Sequence, residues 1–227
     1  MKSVNEALYA LKQGKFVLVH DFEDREDETD LLIAAEFATA KSVATMRLDA
    51  GGLICVAVDG TLAGRIGLPF MVDVYESAKE KFPLLPKVVL NDIRYDYKSA
   101  FSLTVNHRKT FTGIPDNDRA LTISELGKFC RMIPADVATE FGKVFRSPGH
   151  VHLLISSDLS KRNGHTELST ALLKMAGLTP VAAICEMLDE RTHEALKKPD
   201  AIKYAKKHGL IYLEGSEVKE AYENRDR

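Results

Sequence analysis

HVHLLISSDLSKRNGHTELSTALLKMAGLTPVAAICEML, residues 150–188, holds a strand, a helix and a second strand in a row. HVHLLIS (150–156) and VAAICEML (181–188) are short apolar runs bounded by turn residues, as buried strands are, and residues 167–176 have helical periodicity. Working outward, FVLVH (16–20), LICVAV (53–58), FSLTVNH (101–107) and LIYL (210–213) also read as strands. Val4, Ala7, Leu8 and Leu11 share one helical face ahead of Gly14, and residues 42–50 read as a helix broken by Gly51-Gly52. Thr122 and Glu125 have capping-box spacing and predict a helix from there to about Met132. Residues 201–207 and 217–222 are further helices, and LLIAAEFA (31–38) fits either state. Strands and helices mix without strict βαβ alternation, so the expected class is α+β with mixed α/β layers. The expected architecture is a single domain over residues 1–227, a mixed sheet flanked by helices. The least regular stretch is EKFPLLPKVVLNDIRYDYK (80–98), and a loop of that length in a compact domain is often functional.

Hydrophobic residues make up 45% of the 227 and charged residues 28%, the balance of a globular protein with a full core. With 31 basic and 33 acidic residues the net charge is −2, so no global field attracts nucleic acid or an anionic membrane. The N-terminal stretch has no apolar signal segment, and no apolar run approaches a membrane span. The cysteines at 55, 130 and 185 form no C-x-x-C pair and fit reduced thiols in a cytoplasmic protein. P-loop, G-x-G-x-x-G, H-E-x-x-H and G-x-S-x-G patterns are all missing.

Four polar clusters stand out against this background. DFEDREDETD (21–30) packs seven carboxylates and one arginine into ten residues. It fails as an EF-hand, because Arg25 falls on a ligand position and Glu26 on the glycine position. Its hard oxygens suit Mg²⁺ or Mn²⁺, while Arg25 offers a planar fork for phosphate or carboxylate. KRNGHTE (161–167) precedes an apolar helix, where Arg162, Gly164 and Thr166 make a phosphate cradle at a helix N-terminus and His165 a possible metal ligand. An ordinary N-cap at Thr166 accounts for the same residues about as well. In RSPGHVH (146–152) a tight turn at Pro148-Gly149 would place His150 at the start of a strand, with His152 on the same face. Glu186 sits inside an apolar strand, where a carboxylate is seldom left unpaired; it is either half of a buried ion pair or an acid/base group. Thr112 in HRKTFTG (107–113) offers a hydroxyl, and Cys55 reads as a core thiol. Together these residues point to a magnesium-type site that handles a small phosphorylated substrate, without naming it.

EDREDETD (23–30), DAGGLICVAV (49–58), RSPGHV (146–151), RNGHTE (162–167) and ICEM (184–187) occur in an order and spacing that resembles the 3,4-dihydroxy-2-butanone 4-phosphate synthase family over residues 4 to 213. The resemblance implies conversion of D-ribulose 5-phosphate to L-3,4-dihydroxy-2-butanone 4-phosphate and formate, with two Mg²⁺ or Mn²⁺ ions per site. It implies a cytoplasmic homodimer whose sites are shared across the interface, with no nucleic-acid or membrane partner. Carried over, Glu26 and His165 would be the metal ligands. Arg25, Glu26, Asp30, Thr112, Arg162, Asn163, Gly164, His165, Thr166 and Glu186 would contact substrate. His150, Glu186, Glu28 and Asp30 would share the proton transfers of enolisation, dehydration, skeletal rearrangement and formate loss. Two departures bear on this. The family often has a glycine in the acidic loop where this chain has Asp27, Glu28 and Thr29, which predicts a stiffer loop, and no cysteine cluster marks a fused GTP cyclohydrolase II domain.

Overall fold

Val17, Leu18 and Val19 are all buried, Leu18 into one apolar layer and its two neighbours into another, so the sheet they belong to is covered on both faces. The computed structural model describes residues 2–89 and 92–225. The chain begins with α1 (Lys2–Lys12), β1 (Val17–His20), β2 (Thr29–Ala34), α2 (Ala40–Thr45) and β3 (Cys55–Val58). Short helices α3 (Gly60–Ile66), α4 (Met71–Ser77) and α5 (Leu85–Val88) lead to β4 (Phe101–His107), α6 (Asp116–Arg131), α7 (Val137–Val144) and β5 (Phe145–Ile155). Then come α8 (His165–Ala176), β6 (Val181–Glu186), the small hairpin β7 (Leu188–Asp189) and β8 (Glu194–Ala195), α9 (Lys198–His208), β9 (Ile211–Glu214) and α10 (Gly215–Glu223).

Seven strands make one mixed sheet in the order β4-β5-β3-β6-β2-β1-β9. Strand β3 runs parallel to β5, and β1 parallel to β9, while the other neighbours are antiparallel. The period-two alternation of each strand splits the core. Val56 and Val58 pack with Ile123 and Leu126 of α6 and Ala63 of α3 on one face. Cys55 and Ala57 pack with Leu8 and Leu11 of α1 and Leu168 and Leu172 of α8 on the other. The expected class, α+β with a mixed sheet flanked by helices, is the one observed. Leu31–Ala34 belongs to strand β2, and residues 35–37 make a single 3₁₀ turn.

Two expectations of local structure are corrected. Helix α6 opens at Asp116 after Pro115 and places Asp116 and Asp118 in its first turn, where carboxylates favour the helix dipole. Thr122 is therefore mid-helix; its hydroxyl donates to the Asp118 carbonyl at 3.0 Å and accepts the His107 N–H at 3.0 Å. Strand β5 begins at Phe145 and not at His150, because Pro148-Gly149 forms a bulge inside the strand and no tight turn. The ladder with β4 shifts register between Val105 and Asn106, and side chains replace the missing backbone partners. Thr104 Oγ1 accepts the Gly149 N–H at 3.1 Å, and Asn106 Oδ1 accepts the His150 N–H at 2.8 Å. In the irregular 80–98 stretch, residues 90 and 91 lie outside the described residues; the described part contains α5 and an irregular segment at 92–99.

Candidate active site

The pairing of β2 with β6 sets Asp30 directly opposite Glu186, so the two carboxylates leave the same face of the sheet. Behind β2, the acidic loop is folded about one buried side chain. Asp21 accepts the backbone N–H of Glu28 at 3.1 Å and of Glu26 at 3.3 Å, and pairs with Arg25 at 3.2 Å. Asp27 takes a left-handed backbone, φ 55°, a conformation that aspartate tolerates better than most residues and glycine tolerates freely. His20 braces the same loop, its Nδ1 3.0 Å from Thr29 Oγ1 and its Nε2 3.2 Å from Asp27.

Helix α8 starts at the opposite wall. Its N-cap is Gly164, which has no side chain to cap with, so the Thr166 cap weighed as the alternative to a cradle does not form; Thr166 lies in the first turn. A Cβ on Gly164 would stand 2.5 Å from Nη1 of Arg25 and 3.0 Å from Nη1 of Arg162, so glycine lets both guanidiniums close over the helix start. Glu167 in the first turn pairs with Arg162 and accepts the Ser157 N–H at 2.8 Å. His165 is buried between the acids, Nδ1 3.3 Å from Glu26 Oε2 and Nε2 3.7 Å from Asp30 Oδ1.

These elements form a cavity of about 340 Å³ lined by Glu26, Asp30, Arg162, His165, Thr166 and Glu186, with Tyr95, Asp96, Cys55 and Ile184 also on its wall. Glu186 does not form the ion pair considered from its sequence context; its Oε2 accepts the Leu53 N–H at 2.8 Å. A Cβ on Gly52 would stand 2.5 Å from that oxygen, so glycine admits the carboxylate there. The charges are strongly coupled. Burial alone would push Glu26 up, but the hydrogen bond and charge of His165, aided by Arg25 and Arg162, hold the carboxyl below its ordinary value. Burial drives Asp30 well above the usual aspartate range against the pull of His165, and the nearby carboxylates of Glu186, Glu26 and Glu28 add to the rise. Burial, then Glu26 and Glu186, also raise Glu28. Burial disfavours the His165 cation, yet Asp30, Glu26 and Asp21 push it up to about 10.

A divalent cation fits here on the structure's own terms. Among the described residues, Nε2 of His165 and Oδ1 of Asp30 are buried without a hydrogen-bond partner. One atom each from Asp21, Glu26 and His165 lie within 4.8 Å of one another, a set of hard oxygens with one imidazole nitrogen. The sequence singled out Glu26 and His165 and passed over Asp21, whose place at the head of the acidic run gave no sign of its burial.

The remaining expected residues fall into two places. Asn163 and Gly164 lie in the turn at the cradle, Arg25 packs against Gly164, and Glu28 stands beside the cluster. His150 and Thr112 are not among the residues lining the cavity. Both are exposed and meet at Asn106, whose side-chain amide is 3.1 Å from His150 Nδ1 and donates to the Thr112 carbonyl at 3.4 Å. Residues 145–151 of β5 extend past the end of β3, so this group rides on a ribbon projecting from the sheet. Asn106, Asp96 and Tyr95 were missed from sequence. Asn106 is one polar residue in an alternating strand, and the other two lie in the 80–98 stretch, flagged only as a whole.

Fold and cavity together define an enzyme built for a small anionic substrate, with acid/base carboxylates, a cation-type donor set and paired guanidiniums gathered in and around one cavity. The family model for 3,4-dihydroxy-2-butanone 4-phosphate synthase matches residues 5–221. A 3,4-dihydroxy-2-butanone 4-phosphate synthase of Methanothermobacter thermautotrophicus is 53% identical over 221 residues, 96% of this chain and 95% of that protein. One from Archaeoglobus fulgidus is 50% identical over 96% of this chain and 92% of its own length. A solved 3,4-dihydroxy-2-butanone 4-phosphate synthase in complex with two magnesium ions is 28% identical, with a TM-score of 0.75 over 94% of this chain and 93% of that one. The chain belongs to the 3,4-dihydroxy-2-butanone 4-phosphate synthase family, lyases of riboflavin biosynthesis.

Proposed function

We propose that the chain takes D-ribulose 5-phosphate as its substrate and releases formate with L-3,4-dihydroxy-2-butanone 4-phosphate, in a cytoplasmic homodimer with no nucleic-acid or membrane partner. The observation that carries the reading is the convergence of three distant segments on one cavity: Glu26 and Asp30 from the acidic loop and β2, Arg162, His165 and Thr166 from the start of α8, and Glu186 from β6. Among the described residues no helix is long and apolar enough to cross a membrane.

Glu26 and His165 hold Mg²⁺ or Mn²⁺, two ions per site, with Asp21 behind them. When bound, the metal supplies Lewis-acid polarisation of substrate oxygens. The residues supply the rest. Arg25, Arg162, Asn163, Gly164 and Thr166 bind the phosphate end with charge-assisted bonds and the first N–H groups of α8. Burial raises Asp30, and Glu186 stands across from it; with Glu28 they accept and return protons as the sugar enolises and loses water. Tyr95 narrows the mouth against water.

His150 and Thr112 enter through the dimer. They are exposed on the projecting β4–β5 ribbon, next to Phe111, which is 92% exposed, and a second copy seated there would carry them to its partner's cavity. Asn106 Nδ2 faces His150 Nδ1 and so fixes the tautomer that leaves Nε2 to carry the proton. The test is product identification: incubation of D-ribulose 5-phosphate with the protein and Mg²⁺ gives one formate and one four-carbon ketose phosphate per sugar by proton and phosphorus NMR. An isomeric pentose phosphate without formate would make the chain a sugar-phosphate isomerase instead.

A further inference from the structure

Arg25 and Arg162 share an occupant that their assigned role does not mention. Oδ2 of Asp96 accepts Nη2–H of Arg25 at 2.8 Å, Nε–H of Arg162 at 2.9 Å and stands 2.8 Å from Nη2 of Arg162. One carboxylate oxygen thus collects donors from two guanidiniums, one of them presenting its fork. Asp96 comes from 71 residues beyond Arg25 and 66 before Arg162, so no local turn accounts for the meeting. All three side chains are nearly buried, with exposures of 5%, 11% and 8% for Arg25, Arg162 and Asp96.

The two arginines do not depend on Asp96 for a partner. Arg25 is held by Asp21 at 3.2 Å and Arg162 by Glu167, and these acids sit on the acidic loop and on α8. Those contacts orient the forks. Asp96 fills the opening that remains between them, on the cavity side, beside the uncapped start of α8. Its own segment, 92–99, carries neither helix nor strand, so moving it breaks no ladder. Tyr95 travels with it, its ring 5.1 Å from the Arg25 guanidinium.

We propose that Asp96 is an internal anion occupying the phosphate subsite, so that a substrate phosphate binds by displacing it. The inference rests on the assignment of Arg25 and Arg162 to the phosphate end. Asp96 then acts as a specificity-determining residue. A monoanion or an uncharged sugar gains no more from the guanidiniums than the carboxylate already there. A phosphate dianion brings more charge and more acceptor oxygens, engages both forks and the N–H groups of α8, and wins the exchange. Binding the right anion also releases residues 95 and 96 from the cavity wall.

The test is a phosphorus NMR titration of inorganic phosphate into the full chain at low salt, with Asp96→Asn, Arg162→Ala and Asp200→Asn beside it. Asp200 pairs with Lys203 on the surface of α9 and removes the same charge without touching the subsite or the 92–99 segment. Hydrogen bonds to charged groups contribute about 1.5–3 kcal/mol. The expected result is therefore phosphate binding about tenfold tighter or more in Asp96→Asn, lost in Arg162→Ala and unchanged in Asp200→Asn. Asp96→Ala, with circular dichroism on each variant, guards against a folding defect. Equal or weaker binding in both Asp96 variants, with Arg162→Ala still defective, would overturn the displacement while leaving the phosphate cradle standing. Equal tightening in Asp200→Asn would reduce the effect to net charge and overturn it too. Binding that Arg162→Ala leaves intact would remove the cradle itself, and the inference with it.

Discussion

Asp30 of β2 and Glu186 of β6 stand face to face across two antiparallel strands, and His165 Nε2 lies 3.7 Å from Asp30, too far for a hydrogen bond. Burial raises Asp30, and the carboxylate of Glu186 at the neighbouring position on the same sheet face adds to the rise. The arrangement stabilises a proton on Asp30.

Asp30→Asn separates the chemical role of that carboxyl from its cost to folding. Asp30 has a folded-state value above its ordinary 3.8, so its ionisation at neutral pH opposes folding, and the amide removes that opposition. The expected outcome is a melting temperature in chelated buffer equal to or above wild type, with turnover down about 10²–10⁴-fold. A large loss of stability would show that the ion pair with His165 dominates instead.

Arg162→Ala raises the Michaelis constant for the sugar phosphate far more than it lowers turnover, because the lost contact is to a part of the substrate that does not react. Gly164→Ala gives a milder version of the same split, since its Cβ forces the Arg25 guanidinium aside from 2.5 Å. Steady-state kinetics decide; a fall in turnover alone would place Arg162 in the transition state.

Asp27→Val costs about 1–2 kcal/mol in denaturant unfolding, because a β-branched residue is strained at φ 55°. Asp27→Gly accepts the backbone freely, and losing the contact to His20 is its only debit, so it unfolds closer to wild type. The reverse ranking would mean that the side chain matters more than the turn.

His107 contributes to the acid-side pH dependence of stability, together with His152, which burial also lowers. Burial, with Lys109, lowers the value of His107 below 6.5 against the pull of Glu125, and its Nδ1 accepts the Lys109 N–H at 3.1 Å, which protonation would forbid. Above 6.5 both folded and unfolded forms are neutral there. As pH falls below 6.5 the unfolded chain takes up a proton that the native state refuses, so stability drops. His107→Gln flattens that part of the curve of unfolding midpoint against pH between 7.5 and 5.5. An unaltered slope would assign the dependence to other groups.

Much of this molecule was legible in the sequence because apolar frames hold the polar clusters. Strands around Val17–Val19, Val56–Val58 and Val181–Ile184 announce themselves by composition, and they hold the acidic loop and Glu186 in place. The errors came where local chemistry has two uses. Thr122 looked like a cap and is a mid-helix hydroxyl that ties α6 to β4. Pro148-Gly149 looked like a turn and is a bulge that re-aims His150. Asp96 was invisible because its partners lie 71 and 66 residues away, and Asp21 because nothing in a run of seven carboxylates marks it, with Asp30, as one of the buried ones. In the acidic loop, where a glycine was expected from the resemblance, Asp27 takes the left-handed backbone that glycine adopts freely.

The most direct measurement of the central claim is formate release from D-ribulose 5-phosphate by wild type and Glu26→Gln, in excess Mg²⁺ and after chelation. The account predicts formate from wild type only with metal, and none from a folded Glu26→Gln under either condition, with Mg²⁺ binding lost by calorimetry. Formate from chelated wild type, or from Glu26→Gln at an undiminished rate, would contradict it.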